Sequence, residues 1–443
     1  MGDLLQQRDE RRPADPAVTP PRDTRGGAGA DEPGPRPKGG WLSEGASVLA
    51  VAAAVAVAVG YAVATGLPLI GAVAGLGAIA LTQVLPGALI WRIVRPRDGW
   101  LLEDLMAGFA IGSALAVPTQ VVAGLTHQRW LALVIPVAVA ATVVAIPQTR
   151  RRIVNARWSP TPWWFGTAVG LVSLVGLTQL TSYFAHNRIT YLQATVPHND
   201  TYLHQALASE LLNRGPVAWP TVLGEDLGYQ WFAHAWIAQV AASSGLELDA
   251  VLTRLMPALM PMAVVLAVAV GGLRLGRRAW IGVFAAVVTM VGGRLNPFGI
   301  PEVALPLTPE SPTLALGAPT LLLLVTVLAL RWRGQAQRGA WVLVPVLAVV
   351  AAGTKGSTSP LVVAGLGLAA LAMLLWNRRL LLPVVIDLGV VAAGLLFAFV
   401  FVFHGSSAGL RLGVGGAARQ TVLADWLAGL PSRRLVLLAA PPT

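Results

Sequence analysis

The sequence predicts an all-α, polytopic membrane protein of about eleven spans, with interfacial helices in one long outer loop. Three observations predict it. First, 55% of the 443 residues are hydrophobic and only 12% charged, with mean hydropathy +0.66. A soluble domain of this size carries roughly twice that charge. Second, apolar runs recur from Ser47 onward, near 47–66, 68–90, 105–125, 130–147, 163–185, 251–273, 279–293, 316–331, 340–353, 360–376 and 380–403. Runs 279–293 and 340–353 fall short of the roughly 20 residues that cross a hydrocarbon core. Third, arginines cluster in alternate connections.

Residues 1–40 come first. They hold seven Pro, seven Gly, seven Lys+Arg and seven Asp+Glu. Such a segment buries too little apolar surface to offset its ordering entropy, and it reads as a disordered cytoplasmic tail. No apolar stretch follows its first basic residues, so it is no secretory signal. The tail is neutral, and the net charge of +11 belongs to the rest.

Residues 41–185 read as an N-terminal bundle of five spans and 251–403 as a C-terminal bundle of six. In lipid each backbone polar group must pair within its own segment, so these runs are helical. With the tail inside, the inner connections carry fifteen arginines: 92, 95, 97, 150, 151, 152, 157, 274, 277, 278, 331, 333, 338, 378 and 379. The outer segments carry ten Lys+Arg over many more residues. That is the positive-inside pattern, and it places the chain in the plasma membrane with its N-terminus cytoplasmic. Trp91, Trp130, Trp163, Trp164, Trp280, Trp332, Trp341 and Trp376 sit at span ends, where indoles favour the interface. The basic residues form no continuous face, which argues against nucleic acid. There is no cysteine, which excludes disulfides and thiol chemistry. Residues 404–443 read as an outer segment, and Leu435–Ala440 resembles the start of a twelfth span, as in a fragment.

The long connection 186–250 is the candidate active site. Loops longer than about 15 residues without structure are usually functional. It holds four of the six histidines: His186, His198, His204 and His234. Asp200 to Arg214 predicts a helix on the membrane, with Leu203, Ala206, Leu207, Leu211 and Leu212 as its stripe and Gly215-Pro216 as its stop. Tyr229–Val240 predicts a second interfacial helix, with Trp231, Phe232 and Trp236 beside Gln230 and His234.

Asp200 suits a general base at the membrane surface, and His204 shares its helix face one turn on. As an N-cap, Asp200 would be structural instead, and the two roles can coexist. His198, Asp200, His204 and His234 are residue types that bind a divalent metal such as zinc or manganese. There is no HExxH motif, and solvated or hydrogen-bonded histidines are the commoner use. Arg214, Arg254 and Arg294 can neutralise a phosphate, or simply snorkel. Glu225-Asp226 can hold a metal or a sugar hydroxyl, and more often such a pair is a solvated turn. Gly353–Pro360, with Lys355, lacks GxxxxGK[ST] and reads as a loop or broken helix whose amides and lysine meet an anionic group. Asp387 inside the last span is a functional candidate by default.

His198-Asn199-Asp200, the helix up to Gly215-Pro216, Leu227-Gly228-Tyr229-Gln230-Trp231-Phe232 and Val84-Leu85-Pro86-Gly87 together carry a resemblance. The pattern resembles the GT-C superfamily of integral-membrane glycosyltransferases and related polytopic membrane proteins of actinobacterial type. The resemblance touches about half the chain. It implies a polyprenyl-phosphate-linked sugar donor, an acceptor of the cell envelope (glycan, lipid or protein) and a catalytic acid in an outer loop. Asp200 would deprotonate the acceptor with His204 beside it. His198, His234, Tyr229 and Trp231 would hold acceptor or sugar, and Arg254, Arg294 or Lys355 would meet the lipid phosphate. The sequence departs from that pattern in placing the acidic loop after the fifth span, where the superfamily has it after the first. Either four helices are added in front or the likeness is one of pattern alone. A transporter or flippase of a lipid-linked or polar solute, and a non-catalytic envelope-assembly protein, are the alternatives.

Overall fold

The structure, a computed structural model, describes residues 40–186, 199–291, 311–335, 339–378 and 381–406. Chain contacts divide the molecule into 1–40 and 41–443, and the helical bundle is the second of these units. The predicted tail and the outer segment beyond residue 406 lie outside the described residues, as do His198 and Arg294.

The described residues are almost entirely helical. Helix α1 spans Leu42–Ala64, α2 Leu69–Val94 and α3 Leu101–Leu125. Helices α4 (Leu131–Ala145) and α5 (Pro147–Asn155) meet at 85°. Next come α6 (Trp163–Thr178), α7 (Thr181–His186), α8 (Asn199–Asn213) and α9 (Phe232–Ser244). Helix α10 is Leu248–Gly276, α11 Ala279–Val291, α12 Pro312–Trp332, α13 Ala340–Thr354, α14 Thr358–Asn377 and α15 Leu382–Val402. Each of the eleven apolar runs is mostly helix over its described residues, the run 163–185 breaking at 179–180 between α6 and α7. Among the described residues seven helices are long and apolar enough to cross a membrane, eight if α4 and α5 count as one bent span. Helices α6, α11 and α13 are apolar but shorter, at 16, 13 and 15 residues.

Lipid tails are as apolar as leucine, so burial alone does not draw helices together in a membrane; close packing over small residues does. Helices α2 and α3 cross over such residues. A Cβ on Gly87 would lie 2.1 Å from the Gly108 carbonyl oxygen, and one on Gly112 2.2 Å from that of Gln83. The pairs α10–α11 and α1–α6 do the same, with Gly282 against the Ala269 carbonyl and Gly166 against that of Ser47, each at 2.1 Å. Any larger residue there would push two backbones apart.

One end of the bundle is closed by charge. A two-residue parallel pairing, β1 (Asp98–Gly99) with β2 (Arg157–Trp158), links the connections after α2 and α5. Asp104 is buried there: Arg95 Nε donates to Oδ1 at 2.7 Å and Trp158 Nε1 to Oδ2 at 2.7 Å. Its neighbour Glu103 accepts from Arg274 Nε at 3.0 Å. Glu44 accepts from the Leu101 amide at 2.8 Å and from the Thr161 amide and hydroxyl at 2.6 Å. Asp387, the intramembrane candidate, is 1% exposed and accepts from Arg331 Nη2 and Trp332 Nε1, both at 2.9 Å. Its neighbours account for it as the anchor of α15 on α12. These contacts tie the starts of α1, α3 and α15 to the ends of α2, α10 and α12. We call this the basic end.

Candidate functional site

The opposite end carries the histidines. Helix α8 stops where Gly215 turns at φ +78° ahead of Pro216, as expected for an αL terminus. Its last carbonyls are answered by the end of α3 and the turn beyond. Gln120 Nε2 donates to the Leu211 carbonyl at 2.9 Å, and His127 Nδ1 lies 2.7 Å from that of Asn213. Arg129 Nη2 donates to Asn213 Oδ1 at 2.7 Å. The buried face keeps only part of the predicted stripe. Thr201, His204, Leu207, Ala208, Glu210 and Leu211 are buried, whereas Leu203, Ala206 and Leu212 are half-buried. Of the inward polar groups, His204 meets His234.

Helix α9 is the larger correction. Tyr229–Val240 reads as a helix lying at the interface, yet every residue from Phe232 to Ala241 is buried. It packs against α2, α3, α8 and α12. Its glutamine meets a π-helical turn of α2, Ala80–Val84. Gln83 Nε2 donates to Gln239 Oε1 at 2.9 Å, and Gln239 Nε2 donates to Thr82 Oγ1 at 3.0 Å and to the Ala132 carbonyl at 2.9 Å. Trp236 Nε1 donates to Gln83 Oε1 at 2.7 Å. The aromatic residues resemble an interfacial belt in sequence, but this ladder lets them be internal. A lone Gln83 inside an apolar run was the available signal.

The functional side chains converge where α8 meets the start of α9. His204 Nδ1 lies 2.9 Å from His234 Nε2, with ring centroids 5.0 Å apart. One shared proton fills that gap, so one ring donates and the other accepts. His234 is wholly buried, and its Nδ1 has no hydrogen-bond partner among the described residues. Burial, and then the nearby His204, hold the His234 base well below the ordinary imidazole value; the Trp231 and Gln230 backbone favours the charged ring, but not in hydrogen-bonding geometry at Nδ1. His234 is therefore neutral near pH 7.

Around this pair stand aromatic walls. The Tyr229 ring is 6.0 Å from that of His234, and Trp219 meets Tyr229 edge-on at 5.8 Å. Gln230 Nε2 lies 3.4 Å from the Tyr229 hydroxyl, and Gln230 Oε1 accepts the Gly356 amide at 2.9 Å. That bond brings the Lys355-Gly356 connection, between α13 and α14, to the cluster. Lys355 is half-buried, and burial pushes its ammonium below the usual lysine range. Among the described residues, nothing pairs with its amine. Asp200 sits one turn before His204, exposed at the start of α8.

His204, His234 and Tyr229 thus lie together and Gln230 ties Gly356 to them, while Asp200 and Lys355 adjoin this group along the chain, one turn before His204 and one residue before Gly356. Trp231 is buried against Phe232, with centroids 4.6 Å apart, so its ring faces the core and offers no platform for a sugar. Arg254 is also held elsewhere: wholly buried, it donates to the Thr65 carbonyl at 3.0 Å and lies 5.6 Å over the Phe184 ring, fastening α10 to the end of α1. Glu225 and Asp226 are an exposed turn, bridged back to Ala218. Among the described residues no group of three or more His, Cys, Asp or Glu is placed to hold a metal ion. Gln230 and Trp219 are site residues that the sequence does not single out, since neither carries a charge, although Gln230 lies within the stretch Leu227–Phe232. Comparison with family models, curated proteins and solved structures found no match to this chain.

Proposed function

We propose that the protein is a membrane glycosyltransferase that moves a sugar from a polyprenyl-phosphate-linked donor to a cell-envelope acceptor at the histidine end. Its N-terminus is then cytoplasmic, all eleven apolar helices cross the plasma membrane, and the fold is a variant of the GT-C plan. The observation that carries the reading is an exposed carboxylate, Asp200, one helical turn from a buried imidazole pair, with Lys355, a cation unpaired among the described residues, next in sequence to Gly356, whose amide bonds Gln230 of the cluster. Asp200 takes the proton of the acceptor hydroxyl as its oxygen bonds to the anomeric carbon. The bond from that carbon to the phosphate oxygen breaks, and Lys355 offsets the charge left on the lipid phosphate. His204 positions α8 through His234, and Tyr229 with Trp219 offers an aromatic face to the sugar. The transport alternative draws on Asp387, Lys355 and several Gly/Pro-broken spans; of these, Asp387 is taken up by its arginine and tryptophan neighbours.

The test is transfer by purified protein from a panel of polyprenyl-phosphate sugars to envelope acceptors. Transfer by the wild type, lost in Asp200→Asn with donor binding retained, supports the reading. Unchanged transfer by Asp200→Asn removes the base, and no transfer with any donor removes the activity.

A further inference from the structure

At the basic end, α5 carries four arginines in the stretch Pro147–Trp158: Arg150, Arg151, Arg152 and, just past the helix, Arg157. The stretch contains no acid. All four are exposed, and no residue of α5 is buried. Among the described residues none of these guanidiniums forms an ion pair or hydrogen bond. Three other arginines at this end are committed to buried carboxylates: Arg95 to Asp104, Arg274 to Glu103 and Arg331 to Asp387.

The elbow gives these charges a shape. Pro147 opens α5, and the extended Ile146 before it turns the chain through 85°. With α4 along the membrane normal, α5 lies in the plane of the interface. Arg92 Nη2 holds its far end by donating to the Ile153 and Ala156 carbonyls at 3.0 and 2.6 Å. Inside the elbow is a groove of about 390 Å³ lined by Ala145, Pro147, Arg150, Arg151, Val154 and Asn155. The α5 residues of that set recur three and four apart, so they form one face. Val144 and Ile146, on either side of Ala145, are exposed next to the elbow but do not line the groove. The groove thus offers two guanidiniums, unpaired among the described residues, beside the apolar Ala145, Pro147 and Val154.

We infer that this elbow binds an anionic phospholipid of the adjoining leaflet, with its phosphate between Arg150 and Arg151 and the start of an acyl chain against Ala145, Pro147 and Val154. Guanidinium matches phosphate in shape and charge, and neither arginine has to give up a protein partner to bind. This site does not depend on the sugar-transfer reading.

The experiment uses the full chain, purified in neutral detergent, and native mass spectrometry with phosphatidylglycerol or phosphatidylcholine. The wild type should retain phosphatidylglycerol preferentially. Arg150→Gln with Arg151→Gln should weaken that binding about 25-fold, at about fivefold for each arginine near a headgroup. Arg152→Gln, outside the groove, should change it less than about twofold. Val154→Trp fills the groove without changing charge and should also weaken binding, which keeps the test intact if the arginine pair is poorly expressed. Equal retention of the two lipids, an undiminished signal in both groove variants, or displacement by millimolar inorganic phosphate would overturn the inference; the last would mark a site for a soluble anion.

Discussion

The two ends of the bundle solve opposite problems with similar residues. At the basic end every buried carboxylate described is answered on its oxygens. Glu44, Glu103, Asp104 and Asp387 all meet arginine, indole, hydroxyl or amide donors. The shortfalls there are donors, Trp91 Nε1 and Arg92 Nε. At the histidine end the deficit includes groups able to accept or exchange a proton. His234 Nδ1, Glu210 Oε1 and Gln120 Oε1 are buried without partners among the described residues, and the Lys355 amine is unpaired among them too. Buried polar groups are nearly always satisfied, so clustered exceptions call for a ligand, water or proton that completes them. One end is closed and holds the register of the helices. The other has binding capacity left over.

The largest expected effect would break the first half of that contrast. Asp104→Ala strips the partner from buried Arg95 and should cost about 3–5 kcal/mol, read as detergent-denaturant unfolding. Replacing both Asp104 and Arg95 with apolar residues should recover most of it. A loss below about 1 kcal/mol would show that the basic end is not the anchor.

A smaller effect sharpens the second half. His234→Phe leaves His204 buried without its partner and should cost about 1–3 kcal/mol. Adding His204→Leu should return part of that, as coupling in a double-mutant cycle. Additive losses would mean that the imidazoles do not share a proton.

The pH dependence is smaller still over a narrow range. The folded value of His234 lies below the ordinary 6.5, so beneath 6.5 the unfolded chain binds more protons than the native one. Stability is therefore full above 6.5 and falls as pH drops toward the depressed folded value, by at most about 1.4 kcal/mol per pH unit. His234→Phe should flatten that component of a pH titration of unfolding, and an unchanged slope would assign it to other groups.

The smallest stability effect belongs to Asp200→Asn. An exposed site should move stability by less than about 0.5 kcal/mol, measured in the same unfolding assay. A larger loss would make Asp200 a structural cap.

Much of this architecture is legible in the sequence. Apolar run length marks where helices form, since the helix is what satisfies a backbone in lipid. Gly215-Pro216 marks the end of α8 in the same local way. The misreadings concern partners far apart in the chain. Nothing near Asp387 announces Arg331, fifty-six residues away. Helix α9 looks interfacial because its polar residues suggest water, and partners on distant helices, Thr82, Gln83, the Ala132 carbonyl and His204, remove that need. His204 and His234 are each visible as candidates, but their contact depends on how α8 docks on α9, which no periodicity encodes.

The ladder around Gln239 also has an order in time. Its partners Thr82, Gln83 and Ala132, and the imidazole that meets His234, all precede α9 in the chain. Synthesis proceeds from the N-terminus, so each acceptor and donor is made before the side chain that needs it. A helix carrying an amide and an imidazole into an apolar interior thus emerges after every polar group that answers it has been made.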